Sequence, residues 1–109
     1  MSRLTDLENQ QVSPFGSPQN PLVDPIVKTI GAGTNAFSYP ITRTDSGTAA
    51  MVTITVPYAG FSGRITILPG GAFTWTAAGN IAVLGTAVVD KALDFVYDPI
   101  RAKWYPSYV

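Results

Sequence analysis

From residue 51 onward, apolar and polar side chains change places at almost every step. Residues 51–56 (MVTITV) put Val52, Ile54 and Val56 on one side and Thr53 and Thr55 on the other. A helix would scatter such residues around its circumference, whereas an extended strand gathers them on one face. The pattern recurs in residues 64–68 (RITIL), where Ile65 and Ile67 turn inward. It recurs where Phe73 and Trp75 alternate with Thr74 and Thr76, and where Leu93, Phe95 and Tyr97 alternate with Ala92, Asp94 and Val96. Residues 81–84 and 86–89 read as short buried strands around Gly85, and residues 103–108 as an edge strand that carries Pro106. Turn signals stand between these runs at Pro57-Tyr58-Ala59-Gly60, Pro69-Gly70-Gly71, Ala78-Gly79-Asn80, Asp90-Lys91 and Asp98-Pro99. They repeat about every eight to twelve residues, the rhythm of a sandwich or barrel. The expectation is an all-β fold: a small antiparallel β-sandwich or a jelly-roll/barrel-like domain over residues 37–109, with an extended N-terminal arm over residues 1–36.

The arm is set apart by Pro14, Pro18, Pro21 and Pro25. Proline removes an amide donor and fixes φ, so neither a helix nor an inner strand is expected across this spacing. Thr5 and Glu8 match a capping box, which allows one short helical turn over residues 5–10. The proline-rich part nonetheless carries Phe15, Leu22, Val23, Ile26, Val27 and Ile30. A flexible linker has no use for so much apolar surface, so these six residues are candidates for an anchor that docks on another surface.

Several functions are closed to this composition. The chain has no His and no Cys. Disulfides, the usual zinc ligand sets and His- or Cys-based nucleophilic catalysis therefore have nothing to be built from. Seven basic and seven acidic residues cancel. The basic ones are scattered, so no phosphate-binding stripe for nucleic acid is expected. No apolar run approaches the length of a membrane span. Only 13% of residues are charged, about half the usual share, which fits a surface covered by other copies or by a partner. A β domain of roughly 70 residues is also near the size at which a single core becomes marginal; with disulfides and metals excluded, oligomerisation is the simplest remedy.

The remaining chemical candidates are weak. Asp90, Asp94 and Asp98 are the only carboxylate cluster. An ion site or acid pair could be drawn from them, but Asp in turns ordinarily bonds its own backbone. Residues 31–36 (GAGTNA) fit a dinucleotide fingerprint nominally, yet Phe37-Ser38-Tyr39-Pro40 cannot open the helix which that motif needs. No catalytic residue, metal or cofactor is expected, and the chain is not expected to be an enzyme. Among the aromatic residues, Phe73, Trp75, Phe95 and Tyr97 fall on core sides of strands. Trp104, Tyr105 and Tyr108 are candidates for a subunit interface, where Trp and Tyr concentrate, with a sugar-stacking site as the alternative.

Residues 63–69 (GRITILP), 71–76 (GAFTWT), 79–82 (GNIA), 86–91, 93–98 and 103–108 (KWYPSY) together resemble the short β domains of tailed-bacteriophage virion proteins. Such domains occur in capsid decoration (cement) proteins, head fibres and tail fibres or spikes. The resemblance implies a homotrimer made in the host cytoplasm. It would bind the major capsid protein on the outside of the virion shell and stabilise that shell. The layout of arm, glycine joint and β domain is similar to that of decoration proteins. The alternative within the same resemblance is a tail-fibre or spike module that binds a host receptor or glycan.

Overall fold

The computed structural model describes residues 16, 17 and 19–109, and among these there is no helix. Eight strands are present: β1 (Gly33–Asn35), β2 (Ile41–Arg43), β3 (Ala50–Ile54), β4 (Gly63–Leu68), β5 (Thr74–Trp75), β6 (Gly85–Thr86), β7 (Leu93–Asp98) and β8 (Lys103–Pro106). They form two four-stranded sheets, ordered β1-β3-β5-β6 and β2-β4-β7-β8. The all-β expectation holds, and of the sandwich and barrel-like alternatives the two sheets fit the sandwich. The helical turn expected over residues 5–10 lies outside the described residues.

The pairing is mixed, not antiparallel throughout. β1 with β3, β3 with β5 and β2 with β4 are parallel, while β5–β6, β4–β7 and β7–β8 are antiparallel. The reason lies in the path of the chain. After each of the first four strands the chain crosses to the other sheet, so neighbours within a sheet are two strands apart in sequence and run the same way. The chain winds as a flat coil before it closes with hairpins.

The arm is the first rung of this coil. Bridges join Val23 to Ile41 and Lys28 to Thr44 in parallel. The amides of Asp24 and Lys28 donate to the carbonyls of Ile41 and Arg43, and those of Ile41 and Asp45 donate to Leu22 and Lys28, all at 2.8–3.1 Å. Residues 22–28 thus extend the second sheet beyond β2, and β1 lies inside the stretch expected to be arm. Ile30 is 2% exposed in the core, so it serves this fold and offers no anchor to another surface.

Inward residues of both sheets meet in one cluster: Met51, Ile54 and Trp75 from the first, and Ile65, Ile67, Leu93, Phe95 and Trp104 from the second. Across the layers, the rings of Trp75 and Phe95 meet edge to face at 5.4 Å. Fully burying each large side chain contributes about 1.5–3 kcal/mol. The expected buried strands over residues 81–84 and 86–89 are mostly loop. Ile81 bridges Trp104 and β6 is two residues long, while Val83, Leu84, Val88 and Val89 are exposed. The Trp75 ring explains this. Its Nε1 donates to the Val83 carbonyl at 2.9 Å, and a Cβ on Gly85 would stand 2.4 Å from its Cζ2. Only glycine lets the backbone pass beneath that ring.

Two asparagines complete the frame. Asn35 closes residues 31–35 on themselves: the Gly31 amide donates to its Oδ1, and its Nδ2 donates to the Gly31 carbonyl, both at 2.8 Å. Asn80 treats Ile54 in the same way. It accepts from the Ile54 amide at 2.9 Å and donates to its carbonyl at 2.7 Å. The same carbonyl accepts from Trp104 Nε1 at 3.1 Å.

Replacing Asn80 by Ala removes the partner of the Ile54 amide and leaves its carbonyl with Trp104 alone, and is expected to cost about 2–3 kcal/mol. Thr42 is its opposite: 1% exposed, with a hydroxyl that meets no partner. Thr42→Val keeps the shape and removes the orphaned polar atom, so it should stabilise the fold by about 1 kcal/mol. Urea midpoints should move in opposite directions for the two variants, with the slope unchanged.

Candidate functional site

The carboxylates are engaged separately. Asp98 Oδ1 accepts from the Ile100 amide at 2.9 Å, the local turn bond expected of such an Asp. Asp94 accepts a hydrogen bond from the hydroxyl of Thr66, its cross-strand neighbour. Asp90 occupies a left-handed turn position with φ of 67°, while its amide donates to the Pro69 carbonyl. Asp94 and Asp98 share the outer face of β7 but stand about 13 Å apart along the strand. No group of three acidic, His or Cys residues that could hold a metal occurs among the described residues. The fingerprint-like residues 31–36 form the Asn35-closed turn and β1, with no helix behind them.

The three C-terminal aromatics have different placements. Trp104 is 0% exposed. Its ring packs on Tyr97 at 4.8 Å and Phe61 at 5.9 Å, so the core consumes the side chain and leaves nothing for a partner. Tyr108 is half-buried and tied to its own chain: its hydroxyl accepts from the Val88 amide at 3.1 Å and donates to the Lys91 carbonyl at 3.0 Å. Lys91 Nζ lies 4.7 Å from its ring centroid, a cation–π contact. Tyr105 alone faces outward, beside Val96 on the outer side of the second sheet.

The arm candidates divide as well. Val23, Ile26 and Val27 are exposed, Ile26 most at 73%. Leu22 is half-buried beside β2 and Ile30 is in the core, while Phe15 lies outside the described residues. The exposed three sit on a backbone held by β2 and by Arg43, whose guanidinium donates to the Asp24 and Pro25 carbonyls at 3.3 and 3.4 Å. They form a preshaped apolar edge.

A second surface was not singled out from the sequence. At the end of the fold where β2 and β4 begin, Tyr39, Pro40, Pro57, Tyr58, Phe61 and Arg64 line a shallow aromatic groove. Tyr58 is 65% exposed and meets Phe61 edge to face at 5.4 Å. Its signal is the Pro57-Tyr58-Ala59-Gly60 turn, which puts a large aromatic where a turn ordinarily carries a small or polar residue.

Asp45 accepts from the Thr29 hydroxyl and from the Gly47 amide, and these bonds hold its carboxyl below the usual carboxylate range. Comparison with protein-family models, curated proteins and solved structures finds no match to this chain.

A lowered carboxyl pKa stabilises the fold above its unfolded value, and that contribution disappears as pH falls through the folded value. Thr29→Val should therefore be less stable than the parent at neutral pH, with the gap closing in acid below the ordinary Asp range. Thermal melts across pH measure it; a gap that persists unchanged in acid contradicts the assignment. Tyr108→Phe should cost about 1–2 kcal/mol at any pH below the tyrosine range, since two hydrogen bonds are lost without a cavity.

Proposed function

We propose that this chain is a structural protein of a tailed-phage virion. In this reading it is a decoration protein that binds the major capsid protein on the outer shell as a homotrimer and acts by contact, not by catalysis. The observation that carries the reading is the arm, with Val23, Ile26 and Val27 exposed on a backbone already fixed against β2. A surface ordered before it docks loses less entropy on binding than a free tail would. Pro21 and Pro25 lack amide donors, which blunts the arm as a template for further strand pairing. Side chains, more than a backbone ladder, therefore make the contact with the shell. Repetition over many shell sites would turn a modest contact into durable coverage.

Co-sedimentation with undecorated shells tests this. The double variant Ile26→Asp/Val27→Asp should bind at least about tenfold more weakly, a loss of about 1.4 kcal/mol, with its melting temperature preserved. Undiminished binding would rule out the arm as anchor. Removing residues 1–30 is a poorer test, because it also takes Ile30 from the core and the first rung from β2. Light scattering should give a mass of three chains. The exposed Tyr58 beside Tyr39 favours one second reading, a receptor- or glycan-binding tip. Binding to host surface polysaccharide that is lost in Tyr58→Ala, without any shell binding, would move the assignment there.

A further inference from the structure

The most exposed large apolar residue among those described is Ile100, at 94%. It belongs to the four-residue turn that joins β7 to β8. That turn is rigid. Pro99 fixes one φ, the Ile100 amide donates to Asp98 Oδ1 at 2.9 Å, and Ala102 closes the turn in a left-handed conformation with φ of 54°. Ile100 is therefore held out as an aliphatic knob.

A socket of matching size lies at the same end of the fold. Phe37 and Ile65, 7% and 4% exposed, line the aromatic groove together with Tyr39, Pro40, Pro57 and Tyr58. An aliphatic side chain seated there would continue the core. The groove holds about 190 Å³. A cavity of about 150 Å³ accepts a benzene ring, whereas sites for whole small molecules start at about 300 Å³. The volume suits one side chain better than a free ligand. Ile100 does not fill the groove of its own chain. Tyr58 and Phe61 stand between the two, lining both the groove and a second hollow that runs to Pro99.

We infer that Ile100 of a second copy fills this groove, and that each copy receives a knob from one neighbour and offers its own to the next. Knob and socket are different surfaces of one chain, so the contact is heterologous and closes into a ring. The inference rests on the trimeric part of the reading above. Charge favours it at the rim. Arg101 follows the knob, is exposed, and has no bond or ring contact among the described residues. The groove offers its guanidinium the faces of Tyr39 and Tyr58. Arg64 at the groove mouth does not repel it strongly, because Asp94 and Asp98 flank Val96, the cross-strand neighbour of Arg64, and offset that charge.

Directed crosslinking tests the contact, since the chain has no cysteine of its own. Ile100→Cys is mixed and oxidised with Ser38→Cys or with Pro57→Cys, one from each segment that walls the groove. At least one mixture should give a two-chain band several-fold stronger than any variant alone. By light scattering the parent should have the mass of three chains. Ile100→Asp, and separately Tyr58→Ser, should run at the 11.6 kDa of one chain, with circular dichroism showing each folded. No crosslink in either mixture overturns the inference, as does an equal band from Ile100→Cys alone, which would set tip against tip. An Ile100→Asp protein that stays trimeric also overturns it and leaves the trimer standing on another surface. A parent at one chain at every loading concentration removes the trimer and the inference together. If Ile100→Asp then also loses co-sedimentation with shells, the tip belongs to the shell.

Discussion

The main-chain groups of Ile54 hold the two layers in register. Asn80 satisfies both of them, Trp104 shares the carbonyl, and the backbone around Asn80 bonds that of Trp104 in turn: the Trp104 amide donates to the Asn80 carbonyl, and the Ala82 amide donates to the Trp104 carbonyl. A single asparagine thus ends β3 in one sheet and positions β8 in the other. With β8 placed, the Trp104 ring packs on Tyr97 and Phe61, and the shape of the groove end follows. A buried polar group is costly unless its partners are all present. This one is fully satisfied, so the junction adds order to the core without a penalty.

Much of β4, β5 and β7 was legible in the sequence because alternation depends only on the pleat, but in β3 Met51 and Ile54 are buried where Val52, Ile54 and Val56 were expected to share the inner face. Ile65, Ile67, Phe73, Trp75, Leu93 and Phe95 all face inward as their spacing predicts. Alternation does not say which strand lies beside which, and a parallel neighbour leaves the same trace as an antiparallel one. The winding of the first five strands was therefore not legible, nor was the place of residues 22–28 as its first rung. The prolines of the arm argued against an inner strand and were consistent with an outer one. Trp104 shows a second gap. Its position in an alternating run marks it as buried, but the sequence does not show whether its own core or another subunit does the burying.

Most charged side chains among the described residues have local contacts. Asp24, Asp45 and Asp98 close turns, Asp94 accepts from a hydroxyl, Lys28 and Lys91 rest on rings, Arg43 and Lys103 donate to carbonyls, and Tyr108 staples the last residues to the loop before β7. What faces solvent in quantity is apolar and aromatic surface, gathered on the arm and at the groove end. Under the reading proposed above, these two patches, on different parts of the fold, would allow two contacts at once.

The coil sets the order in which the structure can assemble. β7 and β8 are joined by four residues, whereas parallel partners such as Val23 and Ile41 stand 18 positions apart (41 − 23) and Ile41 and Thr66 stand 25 apart (66 − 41). Loop closure makes the hairpin the early event and the winding a late, slow one. The rung of residues 22–28 is held from one side only, so it is the unit whose amides should exchange with solvent first. The segment that presents the apolar edge is therefore also the last to lock and the first to open, and its occupancy by a partner would be felt as protection from exchange along β2.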